Sequence, residues 1–281
     1  MKEGALHKFV IESKRTSKFL DLKELLYYKD LLYFFVLRDI TVLYKQTILG
    51  ILWAILNPLF QMVVFSVIFG KLANVPSDGI PYPIFSFSGI LPFNYFSQSL
   101  SGASLSLVTS TNIFTKIYFP RILIPLTPVL SKLADFSIAF VILIGMMIFY
   151  NIIPTWNLVF LPMLILLMIL TSMGIGMWLS SLAIQYRDVK FAMGYVTTLL
   201  MYAAPVVFPA SLIAEKAGYN IYLLYGLYPM AGVIEGFRSS LLGVNPMPWD
   251  LISIGSVSAV ILFFTGAFYF KRTERIFADV A

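Results

Sequence analysis

Charge is nearly absent from six long stretches of this chain, and few folds tolerate that. Residues 46–70, 84–108, 158–183, 191–212 and 251–270 carry no formal charge, and residues 123–150 hold only Lys132 and Asp135. Each stretch is long enough for a helix of about 20 residues to cross a hydrocarbon layer roughly 30 Å thick. Only 12% of the residues are charged and 59% are apolar, against about 25% charged in an ordinary soluble domain. Such a chain is neither disordered nor an outer-membrane barrel, whose short strands alternate in polarity.

Read along its length, the chain divides into residues 1–47, 48–270 and 271–281. The first part is polar, without a signal-type apolar core near its start, so a cleaved leader is not expected. Within it, Asp21 and Glu24 have capping-box spacing, and Leu22, Leu25, Leu26, Leu32, Tyr33 and Val36 recur mostly three or four apart. That pattern predicts an amphipathic helix lying on a membrane surface. The central part predicts six spans, with a turn-rich loop over Asn74–Pro83 after the first and the fifth covering Phe191–Leu212. Residues 217–249 are interrupted by Gly218, Pro229, Gly243, Pro246 and Pro248. They read as two short re-entrant or interfacial helices on the outer side, shielded within protein because lipid cannot satisfy irregular backbone. The fold class is therefore an all-α integral membrane protein: six transmembrane helices, an N-terminal interfacial helix, and outer re-entrant helices between spans five and six.

The basic residues give the orientation. Residues 1–47, 109–121, 185–190 and the tail from Lys271 together hold sixteen Lys and Arg, while the alternate loops hold Lys71, Lys216 and Arg238. This asymmetry predicts both termini in the cytoplasm of a cell with the chain in its cytoplasmic (inner) membrane. It also accounts for the net charge of +6 without a nucleic-acid partner.

Several chemistries are excluded. There is no cysteine for a disulfide or thiolate site, and the one histidine, His7, sits in the charged terminus. No P-loop, nucleophile elbow or zinc-protease motif occurs, so no catalytic residue, metal site or cofactor is expected in this chain. Lys132 and Asp135, three apart, read as a structural pair on one helical face, with Lys132 near enough to its helix end to reach the interface. Gly232 and Gly236 match a small-xxx-small pattern, which alone is weak evidence of helix dimerisation.

Four segments carry a family resemblance, and a fifth, Phe277-Ala278-Asp279-Val280, resembles the same family's tail. Arg38-Asp39-Ile40 with Tyr44 through Trp53 and Asn57-Pro58-Leu59 resembles the entry to the first span of ABC-transporter permeases of the polysaccharide-export branch. Asn112 through Arg121 resembles that family's cytoplasmic segment between spans two and three, and Tyr186-Arg187-Asp188-Val189 its loop between spans four and five. Tyr228-Pro229-Met230 through Arg238 resembles its outer re-entrant region. The resemblance implies a membrane subunit of an ATP-driven exporter of a lipid-linked polysaccharide, O-antigen or a related polymer. It implies two copies of this chain, two copies of a separate ABC ATPase that brings ATP and Mg, and contact with membrane lipids. It assigns ATPase coupling to Asn112, Lys116, Phe119, Pro120, Arg121, Arg187 and Asp188, with Phe119 as an apolar knob and Arg121 as a charged fork.

Mid-span aromatics suit a sliding sugar polymer, whose C–H faces pack on rings. Trp53, Phe60, Phe87 and Tyr202 are therefore expected to line a path at the dimer centre. Pro229, Glu235 and Arg238 are expected at an outer gate, the last two paired so that reversing both charges restores what one reversal loses. Export of a drug or simple lipid is the nearest alternative. A membrane glycosyltransferase or a secondary transporter lies further off, since carboxylates do not cluster.

Overall fold

The computed structural model describes residues 22–45, 50–111, 118–243, 245–274 and 277, all helical or irregular, with no strand among them. Helices α1 (Leu22–Tyr27) and α2 (Lys29–Lys45) run almost continuously, since the Tyr28 N–H donates to Glu24 and the Leu32 N–H to Tyr28. Leu25, Leu32 and Phe35 pack on the core while Leu26, Tyr27 and Tyr33 stay exposed, so the expected apolar face is split. Asp21, the cap residue of the sequence reading, lies outside the described residues.

Helix α3 (Leu52–Phe65) continues as a π-helical turn over Ser66–Leu72. There the Ala73 N–H reaches Ile68 and the Val75 N–H reaches Phe69. The loop that follows turns through left-handed Asn74, Asp78 and Gly79, as its Pro/Gly/Asp content demands. Helix α4 (Tyr82–Thr109) opens with proline in its first turn, where no N–H is missed. It is the centre of the molecule, packed on α3, α5 (Leu123–Phe149) and α6 (Leu161–Ala183), and 18 of its 28 residues are buried. Its buried serines behave as small core residues because they bond their own helix: Ser88 donates to Phe85, Ser104 to Leu100 and Ser106 to Ala103. That back-bonding admits a serine-rich helix to a core.

Helix α7 (Asp188–Ala203) stops short of the expected Leu212. Pro205 is the cause: it disfavours helical backbone in the residue before it, and Ala204 is extended, with ψ of 148°. An irregular link, residues 204–210, leads to α8 (Ser211–Ala217), α9 (Tyr219–Tyr225) and α10 (Pro229–Leu242). Gly218 between α8 and α9 has φ of 90° and Gly243 after α10 has φ of 70°, conformations that side chains resist. Helix α11 (Trp249–Thr273) crosses back against α6. Gly174 and Gly266 meet there so closely that a Cβ built at Gly266 would lie 2.3 Å from the Gly174 carbonyl.

Among the described residues, four segments are long and apolar enough to cross a membrane: Leu52–Leu72, Leu123–Phe149, Trp156–Ala183 and Trp249–Thr273. The remaining two expected spans differ for physical reasons. Helix α4 has the length but is diluted by serine, and α7, at 16 residues, rises only about 24 Å. Helices α4 and α6 run from the end that holds α8–α10, called distal below, to the basal end that holds α1, α2 and residues 118–121. Helices α5 and α7 run the other way.

Candidate functional site

At the distal end every residue of α10 is buried, including Glu235 and Arg238, whose side chains meet at 2.9 Å. The pair fastens the link 204–210 in place. Arg238 donates to the Val206 carbonyl at 2.8 Å, its guanidinium lies 3.7 Å from the centre of the Phe85 ring, and Glu235 accepts the Ala210 N–H at 2.8 Å. Tyr82 donates to the Val207 carbonyl at 2.7 Å. Irregular backbone buried in this way needs its polar groups satisfied, and these side chains do it. Gly89 leaves the room, since a Cβ there would sit 2.7 Å from the guanidinium. Burial pushes the Glu235 carboxyl up and the Arg238 guanidinium down, and each pulls the other back toward charge. The partners are not interchangeable. A reversed pair would aim a carboxylate at the Val206 carbonyl and the Phe85 ring face, an arrangement that opposes the expected rescue by double reversal. Pro229, the third expected gate residue, is buried at the first position of α10. Gly232 and Gly236 face Leu251 backbone and the Leu164 side chain of this same chain.

At the basal end the exposed ring is Tyr118, one residue before the expected knob Phe119. Phe119 is 4% exposed and packs edge-on against Phe35 of α2, ring centres 5.6 Å apart. Arg121 donates to the Glu274 carbonyl at the end of α11. Both tie the segment into the chain rather than projecting from it. Tyr118, 82% exposed, projects instead. Pro120 is half-buried, and its carbonyl accepts the Leu123 N–H at the start of α5. Arg187 and Asp188 are exposed where α6 turns into α7, also at the basal end. Asn112 and Lys116 lie outside the described residues.

Between the two ends, α3 and α7 flank α4 and bury almost nothing: Pro58 on one, Met193 on the other. Trp53, Asn57, Phe60 and Val64 form an exposed stripe on α3, and Phe191, Tyr195, Leu199 and Tyr202 form another on α7. Three of the four expected path residues, Trp53, Phe60 and Tyr202, fall on these stripes. The fourth, Phe87, is fully buried in the core and lines no surface. Phe191 and Tyr195 were missed, although their four-residue spacing, continued to Leu199 and Tyr202, is a helical-face signal.

On α5, Lys132 and Asp135 pair at 2.8 Å, and the Tyr44 hydroxyl at the end of α2 donates to the same carboxylate. This set lines a cleft of about 250 Å³ among α3, α4 and α5. Among the described residues no group of His, Cys, Asp and Glu could hold a metal ion.

Residues 31–242 match the ABC-2 type transporter family. The chain is 27% identical to the O-antigen export system permease protein RfbA of Myxococcus xanthus over 90% of this chain and 96% of that protein. Its identity to the RfbA permease of Klebsiella pneumoniae is 26% over 90% and 96%. To the polysialic acid transport protein KpsM of Escherichia coli it is 25% over 85% and 92%. A match that runs from the start of α2 to the end of α10 takes in the basal segment, both exposed stripes and the buried distal helix, and the chain is an integral membrane protein that belongs to the ABC-2 type transporter family.

Proposed function

We propose that this chain is the membrane subunit of an ATP-driven exporter of a lipid-linked polysaccharide. The observation that carries the reading is the near end-to-end likeness to O-antigen export permeases, 90% of this chain against 96% of the relative. ATP hydrolysis belongs to a separate ABC ATPase. Two copies of the chain work with two copies of that ATPase, each chain crossing the cytoplasmic membrane six times with both termini inside. Helices α4 and α7 supply the two crossings that length and hydropathy alone pass over. Helices α1 and α2 lie along the inner interface, and α8–α10 re-enter from the outer side.

In this arrangement the basal end meets the ATPase. Tyr118 is the projecting ring, Phe119 carries its displacement to α2 and Arg121 carries it to α11, with Arg187 and Asp188 at the second contact. The α3 and α7 stripes line the polymer path. Rings exposed on one chain are either covered by the second copy or left facing a hydrated sugar chain, and a two-fold arrangement allows both. The buried α10 holds the outer end of the path in shape through Glu235 and Arg238.

The test is genetic and chemical. Removing the chain from its host abolishes surface polysaccharide and leaves lipid-linked polymer inside, and wild-type chain restores export only alongside an ATPase able to hydrolyse ATP. Unchanged surface polysaccharide in cells lacking the chain contradicts the reading.

A further inference from the structure

The cleft among α3, α4 and α5 sets a group of polar side chains into a wall that is otherwise apolar, with Leu91, Phe136 and Ala139 among its lining. Asn57, Asn94, Gln98 and Trp53 join the Tyr44–Asp135–Lys132 set around its volume of about 250 Å³. It opens where the tip of α2 meets α5, through the Tyr44–Asp135 contact. Gln98 stands eleven residues before the end of α4 and Lys132 nine after the start of α5, which places both about 14–16 Å along their helices. Polar groups at such depth face a protein interior or a hydrated cavity, not lipid.

The chemistry of the wall selects its occupant. Asp135 neutralises Lys132 within the set, so the cleft offers an ion no net charge. Among the described residues Asn57 and Gln98 make no side-chain hydrogen bond, and Asn94 spends one N–H on Gln61. Each free amide presents donors and an acceptor together, as alternating hydroxyl groups require. The Trp53 indole, 45% exposed, adds a flat apolar face. The volume falls below the roughly 300–1,000 Å³ of sites for drug-sized ligands, which suits one ring rather than an oligomer.

We propose that this cleft binds a single pyranose residue of the transported glycan, with Asn57 and Gln98 bonding its hydroxyls and Trp53 covering its C–H face. The proposal rests on the polysaccharide reading above. Trp53 also belongs to the α3 stripe, so the cleft opens beside the path and holds one sugar as the polymer is taken up from the basal side. Tyr44 and Lys132 keep the Asp135 carboxylate fixed as a third polar wall.

The chain has no native cysteine, so Gln98→Cys reports on the cleft. The variant is assembled with its ATPase in lipid nanodiscs and treated with a small maleimide. The probes are methyl glucoside, methyl mannoside, methyl galactoside and methyl N-acetylglucosaminide at about 50 mM, because one ring held by a few hydrogen bonds binds in the millimolar range. At least one pyranoside is expected to slow labelling of Gln98→Cys threefold or more, to leave Val108→Cys on the same helix unaffected, and to lose its effect when Asn57→Ala is added. Asn57→Cys, with Gln98→Ala as the added change, supplies the same readout should Gln98→Cys fail to assemble. No protection by any pyranoside, equal protection at Val108→Cys, or spontaneous cross-linking of Gln98→Cys to its twin, which would mean that a second copy fills the cleft, overturns the proposal. Protection together with unchanged surface polysaccharide in cells lacking the chain keeps the site and removes the polymer reading. Lost surface polysaccharide without protection does the reverse.

Discussion

Glu235–Arg238 and Lys132–Asp135 are both acid–base pairs three residues apart on apolar helices, with separations of 2.9 and 2.8 Å. Their surroundings differ. The first pair is sealed: its side chains are 9% and 6% exposed, and its hydrogen bonds run to backbone in the link after α7. The second retains 16% exposure at Lys132 and 19% at Asp135 and lines a cleft. A sealed pair has one arrangement and holds backbone in place. An open pair has room for something else. The contrast extends to the helices that surround them, α10 wholly buried and α3 and α7 almost bare.

Breaking the sealed pair has the largest expected effect. Arg238→Met leaves Glu235 buried without its partner, a loss of about 3–5 kcal/mol. Little folded protein is expected in the membrane, read as loss of the cooperative thermal transition and of ATPase co-purification. The double reversal Glu235→Arg with Arg238→Glu stays equally unstable. Recovery of the transition would show that the pair acts through charge alone.

The basal end sharpens the same distinction within two neighbouring residues. Phe119→Ala empties a core position and costs about 3 kcal/mol, lowering stability and coupling together. Tyr118→Ala leaves stability unchanged while weakening ATPase association or uncoupling hydrolysis from export. Equal thermal shifts for the two variants would erase the assigned difference.

Gly266→Ala forces the α6–α11 crossing apart and is expected to cost about 1–3 kcal/mol. The smallest stability change belongs to the open pair. Tyr44→Phe removes one hydrogen bond to Asp135, about 1 kcal/mol, seen as a shift of a few degrees in thermal melting. A larger loss there would mean that the open pair is structural as well.

Much of this was legible in the residues. Long charge-free runs placed the helices, and Gly218, Pro229 and Gly243 marked the breaks around α9 and α10. The Glu235–Arg238 and Lys132–Asp135 pairs followed from three-residue spacing alone. What escaped depends on partners distant in the chain. Phe119 reads as a knob until Phe35, far earlier in the sequence, is seen against it. Phe87 reads as a path residue because serines and apolar residues are spread all round α4, leaving no periodicity to say which face is inward. The fifth span comes out too long in the sequence because an uncharged run crosses Pro205 without any change in hydropathy, although the proline itself is the stop signal. The depth of the Asn57–Gln98 cleft needed three helices at once.

Export set against assembly tests most directly the claim that the bare faces of α3 and α7 carry the polymer. Phe60→Ala and Tyr195→Ala, singly and together, are compared with wild type for surface polysaccharide, ATPase co-purification and thermal stability in the same membranes. The expected result is a several-fold fall in export, deeper in the double variant, with assembly and stability near wild type. Export that falls only in proportion to assembly would contradict it, and would make those rings packing between copies rather than the wall of a path.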